Sequence, residues 1–365
     1  MPTGDIQMTC LKLKKQCSKI TLNPFCYVTY SLQTASVVMV FLLLLQVALL
    51  AATKSYRSLL LAGSAVAASL VAEALFRLVH KEDSGDTWLV CIAQGLLTGL
   101  LLPHGCSVYA AFFLTLFSFV FCKFVFGNFS SSWVNCSVLT VALIYFLDSS
   151  CFPEAAVSLA DLHSKNPSLY LIQSGTMPIL KADSSLTAFL NENAFSHFGS
   201  MIPEGYASFF WDNGSSIPAF RFNLLTIVSS LVLFSFGFVD TVVPAVFLFV
   251  YAALVRFLSP VFVSGAAFQG DILLALLTGG TLFCSVYLLQ WHGSVPTTFW
   301  GKVFYGTLAG ILAFFIVGCG TSPVGFVFLI LAMNTLSPLI QKTEEEMFCT
   351  SSVKKLRFRS KGSRG

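Results

Sequence analysis

Apolar stretches of membrane-crossing length recur along this chain, separated by short polar breaks. About 20 mostly apolar residues cross a bilayer as a helix. On that criterion the pattern predicts ten spans, at residues 34–53, 58–79, 87–102, 107–126, 134–147, 222–238, 241–258, 271–290, 303–317 and 323–340. The third, fifth and ninth are short, and short or glycine-interrupted segments are the ones expected to break and line a site. The fold class that follows is all-α integral membrane.

Four residues divide the pattern in half. Leu96-Leu97-Thr98-Gly99 recurs 180 positions later as Leu276-Leu277-Thr278-Gly279. The copies fall on the third and eighth predicted spans, so the chain reads as two five-helix repeats. An odd number of crossings per half inverts the second repeat relative to the first, an arrangement that commonly places a polar site near the membrane midplane. The glycine- and serine-rich loop 127–133 and the loop 318–323 occupy corresponding places, and each has the composition of a segment that dips into the membrane. The expected organisation is an N-terminal segment 1–33, a first repeat 34–147, an insert 148–221, a second repeat 222–340 and a basic tail 341–365.

Composition agrees with lipid as the main solvent. The 365 residues are 56% hydrophobic and 10% charged, against about 25% charged in soluble domains, and the mean hydropathy is +0.79. Putting the N-terminus in the cytoplasm leaves fifteen Lys and Arg inside and six outside, as the positive-inside rule requires. Both termini then face the cytoplasm and the insert faces outward. No cleavable signal peptide is evident ahead of the first span. The run from Lys354 to Arg364 reads as a solvated topology anchor. The eleven cysteines contain no C-x-x-C pair and read mainly as small apolar residues. No Walker motif, dinucleotide fingerprint, catalytic triad or HExxH is present, and nothing points to nucleic acid as a partner. The five tryptophans, Trp88, Trp133, Trp211, Trp291 and Trp300, fall mainly at span ends, an interfacial belt pattern.

Few residues carry chemistry. Glu73 and Arg77 share a helix face and read as an ion pair, with a cation path through Glu73 as the sharper alternative. Lys123 reads as a side chain that snorkels to the surface. Thr98, Gly99, Thr278 and Gly279 read either as small-residue helix packing or as a ligand site between the halves. Asn213 is the one outward sequon.

The order of several motifs resembles the NqrB/RnfD family of membrane flavoproteins. Glu73-Ala74-Leu75-Phe76 is similar to its E-A-L-F, and Gly95 to Pro103 to its V-T-G-L-L-L-x-L-P segment. Lys123 to Gly127 is similar to K-x-x-F-G, and Asn135 falls on the Asn of F-N-P-A. Leu276 to Gly280 is similar to L-L-S-G-G, and Pro296-Thr297-Thr298 with Gly301-Lys302 to P-T-T-x-x-G-[KR]. Gly325, Met333-Asn334 and Pro338-Leu339-Ile340 match the end of the last span. The resemblance runs from Asn23-Pro24-Phe25 to Ile340.

It implies a membrane subunit of an Rnf- or Nqr-type complex of the bacterial inner membrane. Such a subunit passes electrons through flavin, coupled to Na+ or H+ translocation, with other subunits of the complex and the bilayer as partners. It implies FMN esterified to a threonine of the insert, here Thr187, presented as an exposed loop hydroxyl, and a second flavin, riboflavin. Thr98, Gly99, Thr278 and Gly279 would line the central site, with Asn135 and Asn334 bracing broken helices. The frame around Thr187 departs from D-x-x-[ST]-G-A-T, since Lys181, Ser185 and Leu186 stand for the Asp, Gly and Ala. Two readings compete with this one. The first is a non-redox channel or carrier for a small solute on the same inverted repeat, and the second is a purely structural subunit.

Overall fold

A computed structural model describes residues 31–80, 87–126, 134–153, 179–193, 195–199, 201, 204–262, 271–290, 295–317 and 324–362. The predicted dipping loops 127–133 and 318–323, Trp133, Trp291, and the N-terminal segment with Asn23-Pro24-Phe25 lie outside the described residues. The described chain is helical, and no strand occurs among those residues. Before the insert come α1 (Leu32–Ala52), α2 (Tyr56–His80), α3 (Thr87–Leu101), α4 (Val108–Phe126) and α5 (Cys136–Leu147). The described part of the insert holds two α-helices, α6 (Asp183–Asn193) and α7 (Tyr206–Trp211), and three tight turns, Ser149–Cys151, Phe195–Phe198 and Pro218–Phe220. Then follow α8 (Asn223–Ser235), α9 (Val242–Phe262), α10 (Ile272–Leu277), the single turn α11 (Thr281–Phe283), a π-helical turn Cys284–Leu288, α12 (Phe299–Val317) and α13 (Gly325–Gly362).

Six helices are long and apolar enough to cross a membrane: Gln33–Ala52, Tyr56–Val79, Val108–Val125, Val242–Ser259, Phe299–Val317 and Gly325–Met347. Three more, Trp88–Leu101, Cys136–Leu147 and Asn223–Ser235, are apolar but shorter. Their outer faces carry large apolar side chains such as Phe113 and Phe249, 64% and 75% exposed. Such surface is at home only in lipid. The chain is therefore an integral membrane protein.

Lipid removes the hydrophobic drive between helices, so contact depends on close packing of small residues. Each half provides such a seam. In the first, Gly95 and Gly99 of α3 lie against Ala62, Ala65, Val66 and Ser69 of α2, and a Cβ on Gly99 would sit 2.4 Å from the Ala62 Cα. In the second, Gly306 and Gly310 of α12 lie against Val243, Val246, Phe247 and Val250 of α9. Around these seams α2 packs on α3 and α4, while α9 packs on α12 and α12 on α13.

Two expectations are corrected by this architecture. Short length points to breaks in the third, fifth and ninth spans, yet α3, α5 and α12 are continuous and the eighth span breaks instead. The cause is Gly280, which takes φ +77°, a value that favours glycine. In the first copy Leu100 stands at that place and α3 passes through it to end at Leu101. Residues 341–365 are expected as a separate tail, but α13 continues through them to Gly362.

Candidate functional site

The break in the eighth span leaves the Leu277 carbonyl without a helical partner. Two amides from distant segments supply one. Asn213 Nδ2 donates to it at 2.8 Å and Asn223 Nδ2 at 2.9 Å. Asn213 also donates to the Phe220 carbonyl at 2.8 Å, and Asn223 to the Phe209 carbonyl at 3.2 Å. The Phe220 ring lies where a Cβ on Gly280 would be, 2.2 Å from that position. Beyond the break, Thr281 Oγ1 donates back to the Ala275 carbonyl at 2.6 Å. Thr278 is half-buried and Gly279 buried in the broken turn. Sequence reasoning misses Asn213, Asn223 and Phe220 as members of this site. Asn213 reads there only as a sequon, whereas its amide is committed to the break.

The first copy is built differently. Thr98 is buried in unbroken helix and its hydroxyl donates to the Gln94 carbonyl at 2.8 Å. Gly99 serves the α2–α3 seam. Asn135 caps α5 rather than bracing a break, its Oδ1 accepting from the Ser137 amide at 3.1 Å. Ser137 Oγ donates to the same Gln94 carbonyl at 2.9 Å. Gln94 Nε2 and Oε1 and Asn135 Nδ2 are buried with no partner, which marks a place where a polar ligand or water is needed. Asn334, mid-α13, also has its Nδ2 buried and unpartnered. The turn Pro218–Phe220 packs on α3 and on α11, so it stands between the two copies.

A charge cluster lies between α2 and α4. Glu73, 1% exposed, accepts from Arg77 Nε at 2.8 Å, from the Lys123 ammonium and from Cys91 Sγ at 3.2 Å. Arg77 lies over the Trp88 ring and Lys123 over the Phe76 ring. The ion-pair reading of Glu73 and Arg77 therefore holds. The surface reading of Lys123 does not, because its side chain is buried against Glu73. Pairing of this kind is how charge persists inside a bundle.

Thr187 also departs from expectation. It lies on α6, not in a loop, and is 3% exposed. Its hydroxyl donates to Asp183 Oδ2 at 3.4 Å. Asp183 in turn accepts from the Gly205 amide at 2.5 Å and from the Ser208 amide and hydroxyl at 2.6 Å each. That network buries the threonine by pinning α6 to α7.

Polar contacts gather at the two ends of the bundle. At the end that carries the insert, a cavity of about 380 Å³ is lined by Lys54, Arg57, His104, Ser216 and Arg221, among others. Arg221 is paired with both oxygens of Asp212 at 2.7 Å. At the other end a cavity of about 680 Å³ is lined by Asp240, Gln290, Thr297 and Lys302 with apolar neighbours. There the Gln290 side chain and the Asp240 backbone exchange hydrogen bonds of 2.9 and 2.6 Å, and Lys302 pairs with the Asp240 carboxylate. Burial pushes that carboxyl up, but the Lys302 bond, the Val242 amide and the Lys302 charge together hold it below its ordinary value. Glu344 of α13 reaches the start of α12, accepting from the Thr297 amide at 3.1 Å and from the Thr298 hydroxyl. A carboxylate there suits the positive end of a helix.

A sequence model of the family described as NQR2, RnfD, RnfE matches residues 19–349. A protein of Pseudomonas aeruginosa strain LESB58, named for its place in an ion-translocating oxidoreductase complex, is 28% identical over 304 residues, 75% of this chain and 79% of that protein. The protein of the same name in strain UCBPP-PA14 is similar to the same extent. That of Citrobacter koseri is 38% identical over 80 residues, 21% of this chain and 23% of the relative.

Proposed function

Because the chain belongs to the NQR2, RnfD, RnfE family, we propose that it is a membrane subunit of an ion-translocating oxidoreductase complex in the bacterial inner membrane, passing electrons through flavin as Na+ or H+ is moved. The family match across residues 19–349 carries this reading. We further propose ten crossings arranged as two inverted five-helix repeats, with both termini cytoplasmic and the insert outside. The packing of α2 on α4 and of α9 on α12, second helix on fourth span in each proposed half, supports that symmetry. So do the end cavities, because loops predicted on one side line one cavity and loops predicted on the other line the second.

The residues favour a noncovalent flavin over one esterified at Thr187. The Gln94 carboxamide has both polar atoms unpaired and Asn135 has an unpaired Nδ2, and Ser137 links the two residues through the Gln94 backbone carbonyl and Asn135 Oδ1. Unpaired amide donors and an acceptor are the groups that pair with the polar edge of an isoalloxazine, so on this reading Gln94 and Asn135 would orient a noncovalent riboflavin. The bound ring supplies the electron transfer. FMN esterified at Thr187 does not fit. The hydroxyl is buried against Asp183, and a phosphate there would set further negative charge beside a buried carboxylate. Glu73, already neutralised by two cations, has little attraction left for a third, so no cation path is routed through it.

The test is an absorption spectrum of protein purified from its native membrane, followed by a denaturing gel viewed for flavin fluorescence. This reading expects oxidised-flavin absorbance, release of the flavin on denaturation, and a shift or loss of the spectrum in Gln94→Leu. A fluorescent band abolished in Thr187→Val would instead show that α6 opens to accept FMN. No flavin in either assay, with solute flux in liposomes, would favour the carrier. Neither flavin nor flux would favour a structural subunit.

A further inference from the structure

We propose that Cys106 and Cys151 form a disulfide in the mature protein, stapling the turn between α3 and α4 to the first turn of the insert. This rests on the orientation proposed above, which turns that end of the bundle toward the oxidising side of the membrane, where disulfides persist. The two Sγ atoms lie 2.7 Å apart as free thiols. The backbones are already brought together. A Cβ on Gly105 would lie 2.9 Å from the Cys151 carbonyl oxygen, so glycine at that position permits the approach that puts Cys106 on Cys151. The Cys151 thiol also donates to the Asp148 carbonyl at 3.1 Å, which aims it back at the helix end. Cys91, Cys122, Cys136 and Cys284 lie within helices and are buried.

The chemistry needs an oxidant, and a thiol–disulfide oxidase of the outer compartment is the class that fits. Cys151 is half-buried and Cys106 almost fully buried, so Cys151 reacts first. Its thiol loses a proton and the sulfur attacks the donor's disulfide, forming a mixed disulfide and freeing one donor thiol. Cys106 then loses its proton and attacks the Cys151 sulfur, expelling the donor's second thiol. One S–S bond is made and one broken, and two electrons and two protons pass to the donor. Burial, first, holds both thiols above their ordinary pKa. A high-pKa sulfur is a poor leaving group, so the finished bond resists reduction by other thiols.

The experiment uses full-length protein in its native membrane. Thiols are trapped by acid and blocked with N-ethylmaleimide, and peptides are mapped without reductant. The linked Cys106–Cys151 peptide pair is expected in the wild type, with Cys151 alkylated in Cys106→Ser. Reductant is expected to lower the melting temperature of the wild type and to leave that of Cys106→Ser unchanged. Recovery of both cysteines as alkylated monomers in the wild type overturns the proposal. A membrane-impermeant maleimide applied to intact cells after reduction separates the two ways of failing. Unlinked cysteines labelled from outside overturn the disulfide and leave the orientation standing, whereas labelling only after permeabilisation overturns the orientation and the disulfide with it.

Discussion

Gln46 Nε2 donates to Thr226 Oγ1 at 3.3 Å, and these residues stand 180 positions apart. The same interval separates Leu96 from Leu276. A symmetry axis brings equivalent residues together wherever it passes between them, and α1 and α8 are the opening helices of the two proposed repeats. The Thr226 hydroxyl accepts from Gln46 and donates to the Phe222 carbonyl at 3.1 Å, so both of its roles are filled. The Gln46–Thr226 bond therefore has the spacing that the proposed repeat requires.

The glycine seam makes opposite predictions for two glycines of one helix pair. Gly99→Ala places a methyl 2.4 Å from the Ala62 Cα, so α2 and α3 must separate, at a cost of about 1–3 kcal/mol. Gly63→Ala meets nothing within 4 Å and is expected to stabilise by about 0.5–1 kcal/mol through helix propensity. Thermal unfolding of the purified variants in detergent checks both signs.

Removing Glu73 alone strands two cations. Glu73→Gln is expected to cost about 3–5 kcal/mol, the usual penalty for a buried charge left without its partner. Glu73→Gln combined with Lys123→Met is expected to recover much of that loss, because the fully buried cation goes too. Thermal unfolding of the single and double variants reads the coupling directly.

The Leu277 carbonyl has two donors, so its support is redundant. Asn213→Ala or Asn223→Ala alone is expected to cost about 1 kcal/mol for its bond to the Phe220 or Phe209 carbonyl, since the other amide still covers the Leu277 oxygen. Together they leave a buried acceptor unsatisfied, and the double variant is expected to lose about 1–3 kcal/mol more than the two single losses added. Urea unfolding of all three variants measures the excess.

Acid should loosen the end that holds Asp240. Its carboxyl sits below the ordinary value of 3.8 when folded, so the stability it adds is present above 3.8 and fades as pH falls through the folded value. The expected observation is a drop in melting temperature that continues below pH 3.8 in the wild type. Asp240→Asn should lack that component across the same acid range.

Helix positions are legible because hydropathy reports them directly. Hydropathy puts the fifth span at residues 134–147, and α5 is Cys136–Leu147. The location of the break is not legible, because it depends on a backbone angle at Gly280 and on amides at Asn213 and Asn223 that hydropathy does not register. Lys123 misleads for a related reason. The sequence shows Glu73 and Arg77 four apart, but only the packing of α4 on α2 brings a third charge to them. Thr187 lies near several loop-forming residues, and its burial follows from Asp183, whose partners Gly205 and Ser208 lie at the start of another helix. The Pro296 to Lys302 motif stands out in the sequence by resemblance alone. Its physical content is a helix start held by Glu344 and a lysine aimed at Asp240.

α13 is 38 residues long, about 57 Å at 1.5 Å per residue, while the hydrocarbon layer is about 30 Å thick. Glu344 clasps it to the start of α12. Its cationic far end is therefore carried on a helix rather than a slack tether, with Pro338 the one place inside that helix where a ladder hydrogen bond is lost.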